Sequence, residues 1–158
     1  IDREAKQQGN WENDITEVGY KYQMTDLAAT LGLVSLDNFQ SQLEHRQKLF
    51  ILYRELLNNV TGLKFIGGKF TNRTHAAWLC TVLVKDREGL IKKLDQNKIE
   101  SGQVHYRNDK YSIFSNYAKN TSFPNMDKLE NDYLVLPLHS KVSIEDVEKI
   151  CHTVKSGW

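Results

Sequence analysis

The sequence AAWLCTVLVK, at residues 76–85, is the strongest strand prediction in this chain of 158 residues. Apolar and β-branched residues fill it, and it carries neither proline nor any charge before its last residue, which is typical of a buried strand. The apolar run is about half as long as a membrane-spanning helix, so the sequence favours burial in a sheet. Asp86 follows it directly and can cap the next helix. The apolar side of that helix is formed by Leu90, Ile91 and Leu94.

A long amphipathic helix is predicted upstream of this strand. Its inner face is marked by residues that recur at alternating spacings of three and four. These residues are Leu36, Phe39, Leu43, Arg46, Phe50, Tyr53 and Leu57. Asn58, Asn59 and Gly62 end the helix, and residues 63–66 are predicted as a short strand. A separate helix is predicted before it, with Thr25 as its N-cap.

The downstream half of the chain adds shorter elements. We predict a strand at residues 99–105, an aromatic loop at 106–123, a short helix at 125–131 and another strand at 133–138. Ser143 and Asp146 form a capping box for the last helix. Its inner face is formed by Val147, Ile150, Cys151 and Val154. This order predicts an α+β fold, in which a small and mostly antiparallel sheet packs against helices and a long helix lies near the N-terminus.

Composition excludes several classes of protein. Hydrophobic residues make up 40% and aromatic residues 10% of the chain, and the net charge is only +1, which excludes a disordered chain. The 21 basic and 20 acidic residues are mixed, without the basic block typical of nucleic-acid binders. Cys80 and Cys151 lie in apolar surroundings and are predicted to be free, buried thiols, which fits the cytoplasm. The chain begins with Ile1, so we expect it to be part of a longer protein.

No complete catalytic or metal-binding motif is recognisable. The five histidines do not pair with cysteine or acidic residues at the spacings typical of zinc ligands, so no metal site is predicted. Walker loops, nucleophile elbows and dinucleotide-binding glycine motifs are absent from the sequence. Two segments nevertheless contain clusters of charged and aromatic residues that are unusual for a protein with a purely structural role.

The first segment is GYKYQMTD, at residues 19–26. It places the cation of Lys21 between the phenols of Tyr20 and Tyr22, just before a predicted helix start. Backbone N–H groups and the helix dipole favour an anion there, so the segment predicts a phosphate or carboxylate site. The alternative is an aromatic lead-in that seats the helix and leaves Lys21 in solvent.

The second segment is HYRNDKY, at residues 105–111, which follows a predicted strand. Loops at strand ends often build binding sites. Arg107 can hold a phosphate with two parallel hydrogen bonds, and His105 can bond a sugar or phosphate. The alternative is a surface loop in which Arg107 pairs with Asp109.

These segments, in this order, resemble one family closely. Residues 19–33 resemble the motif that follows the cofactor lysine in the DegT/DnrJ/EryC1/StrS sugar aminotransferases. The long helix carries Leu43 and Arg46 where that family has a leucine and an arginine, and the HYRNDKY loop also matches. The late sequences LPLH at 136–139 and SIEDV at 143–147 complete the resemblance, which spans essentially the whole chain. The loop is most like that of members assigned to lipopolysaccharide sugar synthesis.

The resemblance implies the C-terminal small domain of a fold-type-I enzyme that uses pyridoxal 5'-phosphate (PLP). Such enzymes transfer an amino group, usually from glutamate, to a nucleotide-linked keto-sugar. Residues 1–24 would join an N-terminal domain, and 25–158 would form the small domain. The family's PLP lysine lies in the N-terminal domain, so the resemblance implies no catalytic residue in this chain and no activity of the chain alone. The alternative is a stand-alone, non-catalytic α+β module for ligand binding or oligomerisation.

The resemblance also assigns site residues. Lys21 stands where many members have an asparagine that reaches the PLP phosphate of the partner subunit in a homodimer. Tyr20 is placed beside the substrate by the same motif. His105, Arg107 and Asn108 match the loop expected near the nucleotide-sugar.

Overall fold

The computed structural model describes residues 18–20, 22–67 and 72–158. Its helices are α1 (Asp26–Leu57), α2 (Arg87–Gln96), α3 (Ser115–Ala118), α4 (Pro124–Leu129) and α5 (Ile144–Lys155). The strands are β1 (Leu63–Phe65), β2 (Cys80–Val84) and β3 (Tyr133–Leu136), and two 3₁₀ turns lie at Asn108–Lys110 and Ser112–Phe114. The chain divides into two compact units, residues 1–37 and 38–158. The predicted boundary between residues 24 and 25 stays a prediction.

The three strands form one antiparallel sheet in the order β1-β2-β3, with β2 in the centre. Leu63 pairs with Val84 across β1 and β2, and Cys80 pairs with Leu136 across β2 and β3. Along β2, Cys80, Val82 and Val84 are buried and the residues between them are half-buried. This period of two is what a sheet with one face on the core requires. The predicted α+β fold with a small antiparallel sheet is confirmed.

Helices α1 and α5 supply much of the core beside the sheet. On α5, the predicted inner face is buried: Val147, Ile150, Cys151 and Val154. On α1, the buried residues are Leu49, Phe50, Tyr53 and Leu57. The predicted capping box is present, since the Ser143 hydroxyl accepts from the Asp146 N–H at 3.0 Å and the Asp146 carboxylate accepts from the Ser143 N–H at 2.9 Å. Both cysteines are free and buried, as predicted, and burial raises the pKa of the Cys151 thiol to about 12.

Helix α1 differs from its prediction. One continuous helix runs from Asp26 to Leu57 where the sequence predicted two. The Thr30 and Ser35 hydroxyls donate to the carbonyl oxygens four residues earlier, so their polar groups are satisfied inside the helix. Gly32 costs only about 1 kcal/mol there. The predicted stripe is buried only towards the C-terminal end, and Leu36 and Phe39 are exposed. None of the described helices combines the length and apolar character needed to cross a membrane.

Several strand predictions were too long or wrong, and the strand predicted at residues 133–138 ends at Leu136. The predicted strand at residues 99–105 is absent, and only a single bridge joins Gly102 to Val135. Its side chains from 103 to 105 are exposed, so no sheet face favours continuing the ladder. Strand β2 begins at Cys80 and not at residue 76, because Ala77 has a φ of 48° that no strand accommodates.

Candidate functional site

Arg107 is the centre of a charged cluster at the start of the HYRNDKY loop. Its Nε and Nη2 donate to the two carboxylate oxygens of Asp109, at 2.9 and 2.7 Å. Its Nη1 donates to Asp127 at 2.5 Å and to Glu130 at 3.2 Å. Lys110 also donates to Glu130. The Arg107 side chain is only 5% exposed, so this guanidinium is buried against three carboxylates.

The charges of this cluster stabilise one another. The hydrogen bond from Arg107 lowers the pKa of Asp109, and the hydrogen bond from Lys110 lowers the pKa of Glu130. Asp109 and, to a smaller extent, Asp127 raise the pKa of Arg107 by accepting its hydrogen bonds. All three groups are therefore ionised at neutral pH. The pairing of Arg107 with Asp109, the alternative left open by the sequence, is what the structure shows.

The local backbone explains how these groups meet. A 3₁₀ turn follows Arg107, in which the Lys110 N–H donates to the Arg107 carbonyl at 3.2 Å, and this turn brings Asp109 back towards the guanidinium. Helix α4 begins with Pro124, which suits the first turn of a helix, and presents Asp127. Arg87, at the start of α2, donates to the Glu130 carbonyl oxygen at 2.7 Å and fixes the end of α4.

A concave pocket of about 570 Å³ opens beside the cluster. Its lining comprises residues 104–109 together with Tyr111, Phe123 and Met126. The Tyr106 and Tyr111 rings meet edge to face, with their centroids 5.1 Å apart. Aromatic walls with a few polar groups among them are typical of pockets that bind small molecules.

Trp78 extends the aromatic surface near this pocket. It is 62% exposed, and its ring centroid lies 5.7 Å from that of His105. The segment before it is fixed by His75, whose Nδ1 accepts from the Ala77 N–H at 2.9 Å. The His75 ring stacks on Phe50 of α1 with centroids 4.6 Å apart. This anchoring holds Ala77 in its left-handed conformation and leaves Trp78 at the surface.

The predicted site residues fall into three groups. His105, Arg107 and Asn108 line the same pocket, where His105 and Asn108 are exposed and Arg107 is buried. Tyr20 is 78% exposed, with its ring 5.5 Å from that of Tyr22. Lys21 lies outside the described residues. Ligand contact by each of these residues stays a prediction, and for Arg107 its present partners leave one N–H available.

Sequence reasoning gave no site role to five exposed aromatic or methionine side chains of this surface: Trp78, Tyr106, Tyr111, Phe123 and Met126. The aromatic content of residues 106–123 was the available signal for Tyr111 and Phe123. Trp78 lies within the run predicted as a buried strand, and nothing in the neighbouring sequence indicates that its side chain is exposed.

The described residues do not form a complete PLP site. Every described lysine is exposed except Lys93, which is half-buried, so none lies in the enclosed surroundings that a covalently held cofactor needs. Among the residues that the structure describes, no group of three or more His, Cys, Asp or Glu could hold a metal ion.

The sequence profile of the DegT/DnrJ/EryC1/StrS aminotransferase family matches residues 2–155. This chain belongs to that family. The resemblance drawn from the sequence motifs is therefore confirmed.

Curated relatives extend this match. The chain is 26% identical over 145 residues to GDP-perosamine synthase of Vibrio cholerae, covering 88% of this chain and 39% of that protein. It is 26% identical over 151 residues to the UDP-4-amino-4-deoxy-L-arabinose–oxoglutarate aminotransferase of Shewanella sediminis, covering 87% of this chain and 38% of that protein. The chain thus spans about 40% of the length of the curated relatives it matches.

Solved structures share the fold. The crystal structure of AtS13 from Actinomadura melliaura superimposes with a TM-score of 0.90 at 30% identity, covering 100% of this chain and 41% of that one. The PLP form of Spr1654 from Streptococcus pneumoniae gives a TM-score of 0.80 at 27% identity, covering 94% of this chain and 39% of that one.

Proposed function

We propose that this chain is the C-terminal part of a PLP-dependent aminotransferase that transfers an amino group from glutamate to a nucleotide-linked keto-sugar. The enzyme would act in the cytoplasm, and its product would be used to build a cell-surface polysaccharide. The observation that carries the proposal is the family match over residues 2–155. The pocket beside His105 and Asn108 supplies a surface suited to a ligand of this kind.

The names of two relatives support the substrate classes. The first is named as a synthase of GDP-perosamine. The second is named for a UDP-linked amino-sugar and for oxoglutarate. Oxoglutarate is what glutamate becomes when it gives up its amino group, which supports glutamate as donor. The PLP form of a structural neighbour supports the cofactor.

We assign the following roles within this proposal. His105 and Asn108 project from exposed positions at the pocket and would bond the nucleotide-sugar. Lys21 would contact the PLP phosphate of the partner subunit in a homodimer, with Tyr20 beside the substrate. Residues 1–24 would connect to the N-terminal domain, and residues 25–158 would form the small domain. The lysine that holds PLP would lie in the part of the relatives' length that this chain does not cover.

The test is an assay of the full-length protein with PLP, glutamate and a panel of GDP- and UDP-linked keto-sugars. Formation of an amino-sugar nucleotide supports the proposal. Binding of the nucleotide-sugar without any turnover favours the non-catalytic module. Lys21→Ala in the full-length protein should weaken PLP retention during dialysis, and unchanged retention would remove Lys21 from the cofactor site.

A further inference from the structure

The aromatic segment, residues 106–123, forms much of the pocket wall without a hydrophobic core of its own. Neither of its two 3₁₀ turns nor helix α3 buries a side chain, and the same holds for α4, which follows it. The segment carries large exposed rings, among them Tyr106, Tyr111 and Tyr117. Apolar burial, which holds most loops of this length in place, therefore contributes little here.

Arg107 is the buried residue of this region. Within residues 103–128, all of which the structure describes, no other residue is buried. Its partners come from both ends of the aromatic segment: Asp109 at the start, and Asp127 and Glu130 beyond its end. The cluster therefore closes the segment into a loop, as a disulfide or a metal ion does in other proteins.

The backbone around Arg107 relates this burial to the pocket. Arg107 has extended dihedral angles, with φ −65° and ψ 123°. The backbone between Tyr106 and Asn108 is therefore anchored at Arg107, and this anchor fixes where its two neighbours stand. Both are exposed and both line the pocket.

We propose that Arg107 is a positioning residue, which holds the aromatic segment and Asn108 in place for the nucleotide-sugar without contacting it. The inference rests on the proposed function for its ligand. A two-pronged phosphate contact needs two N–H groups, and four of the five on Arg107 are already directed at carboxylates. Lysine is no substitute, because a point charge cannot make the paired bonds to Asp109.

The first test needs no substrate and uses the full-length protein with PLP. Arg107→Gln and Asp127→Asn should each speed tryptic cleavage after Lys119, inside the aromatic segment, by tenfold or more. Lys128→Gln is the matched control, since it removes the charge of an exposed residue on α4 and should leave the rate unchanged. Equal cleavage rates in Arg107→Gln, Asp127→Asn and the unmodified protein would overturn the proposal. This readout stands even if no sugar is aminated.

The second test separates positioning from contact by steady-state kinetics. Arg107→Gln and Asp127→Asn should each raise KM for the nucleotide-sugar about tenfold, with kcat and the KM for glutamate changed less than twofold. The double variant should have a KM for the nucleotide-sugar no higher than that of Arg107→Gln, because both changes release the same segment. If Arg107 bound the phosphates directly, Asp127→Asn would free its guanidinium, and KM would stay unchanged or fall. That result would overturn the proposal. If Arg107→Gln fails to fold, both tests are made with Asp127→Asn and Glu130→Gln instead.

Discussion

The Tyr53 hydroxyl donates a hydrogen bond to the Pro137 carbonyl oxygen at 2.9 Å. Tyr53 is fully buried on α1, and Pro137 is the residue directly after β3. The bond therefore joins the buried half of the long helix to the LPLH sequence, one of the motifs by which the chain resembles its family. Burial raises the pKa of Tyr53, so the phenol keeps its proton and remains a donor.

Tyr53→Phe should lower the free energy of unfolding by about 0.5–1.5 kcal/mol, because the half-buried Pro137 carbonyl oxygen loses its donor. Urea unfolding of the purified chain, followed by circular dichroism, measures the change. Tyr117→Phe is the matched control, since Tyr117 is 82% exposed, and should change stability by less than about 0.5 kcal/mol. Equal effects of the two variants would contradict the assignment.

Ser143→Ala should destabilise the chain by about 1 kcal/mol, because the Asp146 N–H loses the acceptor that caps α5. The same urea titration provides the measurement. Ser140→Ala, at an exposed serine just before α5, should be neutral. A neutral Ser143→Ala would show that the capping box contributes nothing to the free energy of unfolding.

Lys98→Gly should stabilise the chain by about 0.5–1 kcal/mol. Lys98 follows Asn97, the C-cap of α2, and has a φ of 58°. It belongs to a Schellman motif, in which the Lys98 N–H donates to the Asp95 carbonyl oxygen at 2.8 Å and the Ile99 N–H donates to that of Leu94 at 3.0 Å. Glycine adopts this conformation without strain. Lys92→Gly, inside the same helix, should instead cost about 1 kcal/mol. A loss of stability in Lys98→Gly, measured by thermal unfolding, would contradict this account.

The carboxylates around Arg107 should make the aromatic segment sensitive to acid. The pKa values of Asp109 and Glu130 are lowered in the folded chain from ordinary values of 3.8 and 4.5. Their contribution to stability is therefore fully present above those ordinary values and is lost as the pH falls through the lowered ones. Carbon NMR of the Asp109 carboxyl should give a pKa below 3.8, and Arg107→Gln should return it towards that value. A pKa at or above 3.8 in the unmodified chain would show that Arg107 does not hold this carboxylate.

Where a local signal existed, the sequence predicted the structure. The Ser143 and Asp146 box, the Asp86 cap and the apolar run that contains β2 each depend on residues within a few positions of one another. The Gly89 N–H indeed donates to Asp86 at 3.0 Å. These features follow from hydrogen bonding and burial within a single turn or strand.

Features that depend on distant partners could not be predicted in this way. The local sequence does not decide whether Arg107 binds a phosphate or pairs with Asp109. Two of its three partners, Asp127 and Glu130, lie about twenty residues further along the chain. Ala77 has a left-handed backbone that alanine rarely adopts, and His75 stacked on Phe50 supports it. The exposure of Trp78 follows from that conformation.

We propose that this chain forms the nucleotide-sugar side of a PLP-dependent aminotransferase. The most direct measurement supplies the full-length protein with PLP, nitrogen-15 glutamate and nucleotide-linked keto-sugars, and follows the label by mass spectrometry. We predict that the label appears in an amino-sugar nucleotide with the full-length protein, that His105→Ala and Asn108→Ala reduce its rate, and that residues 1–158 alone form none. Absence of labelled sugar from the full-length protein, or its formation by residues 1–158 alone, would show that this chain does not have the proposed role.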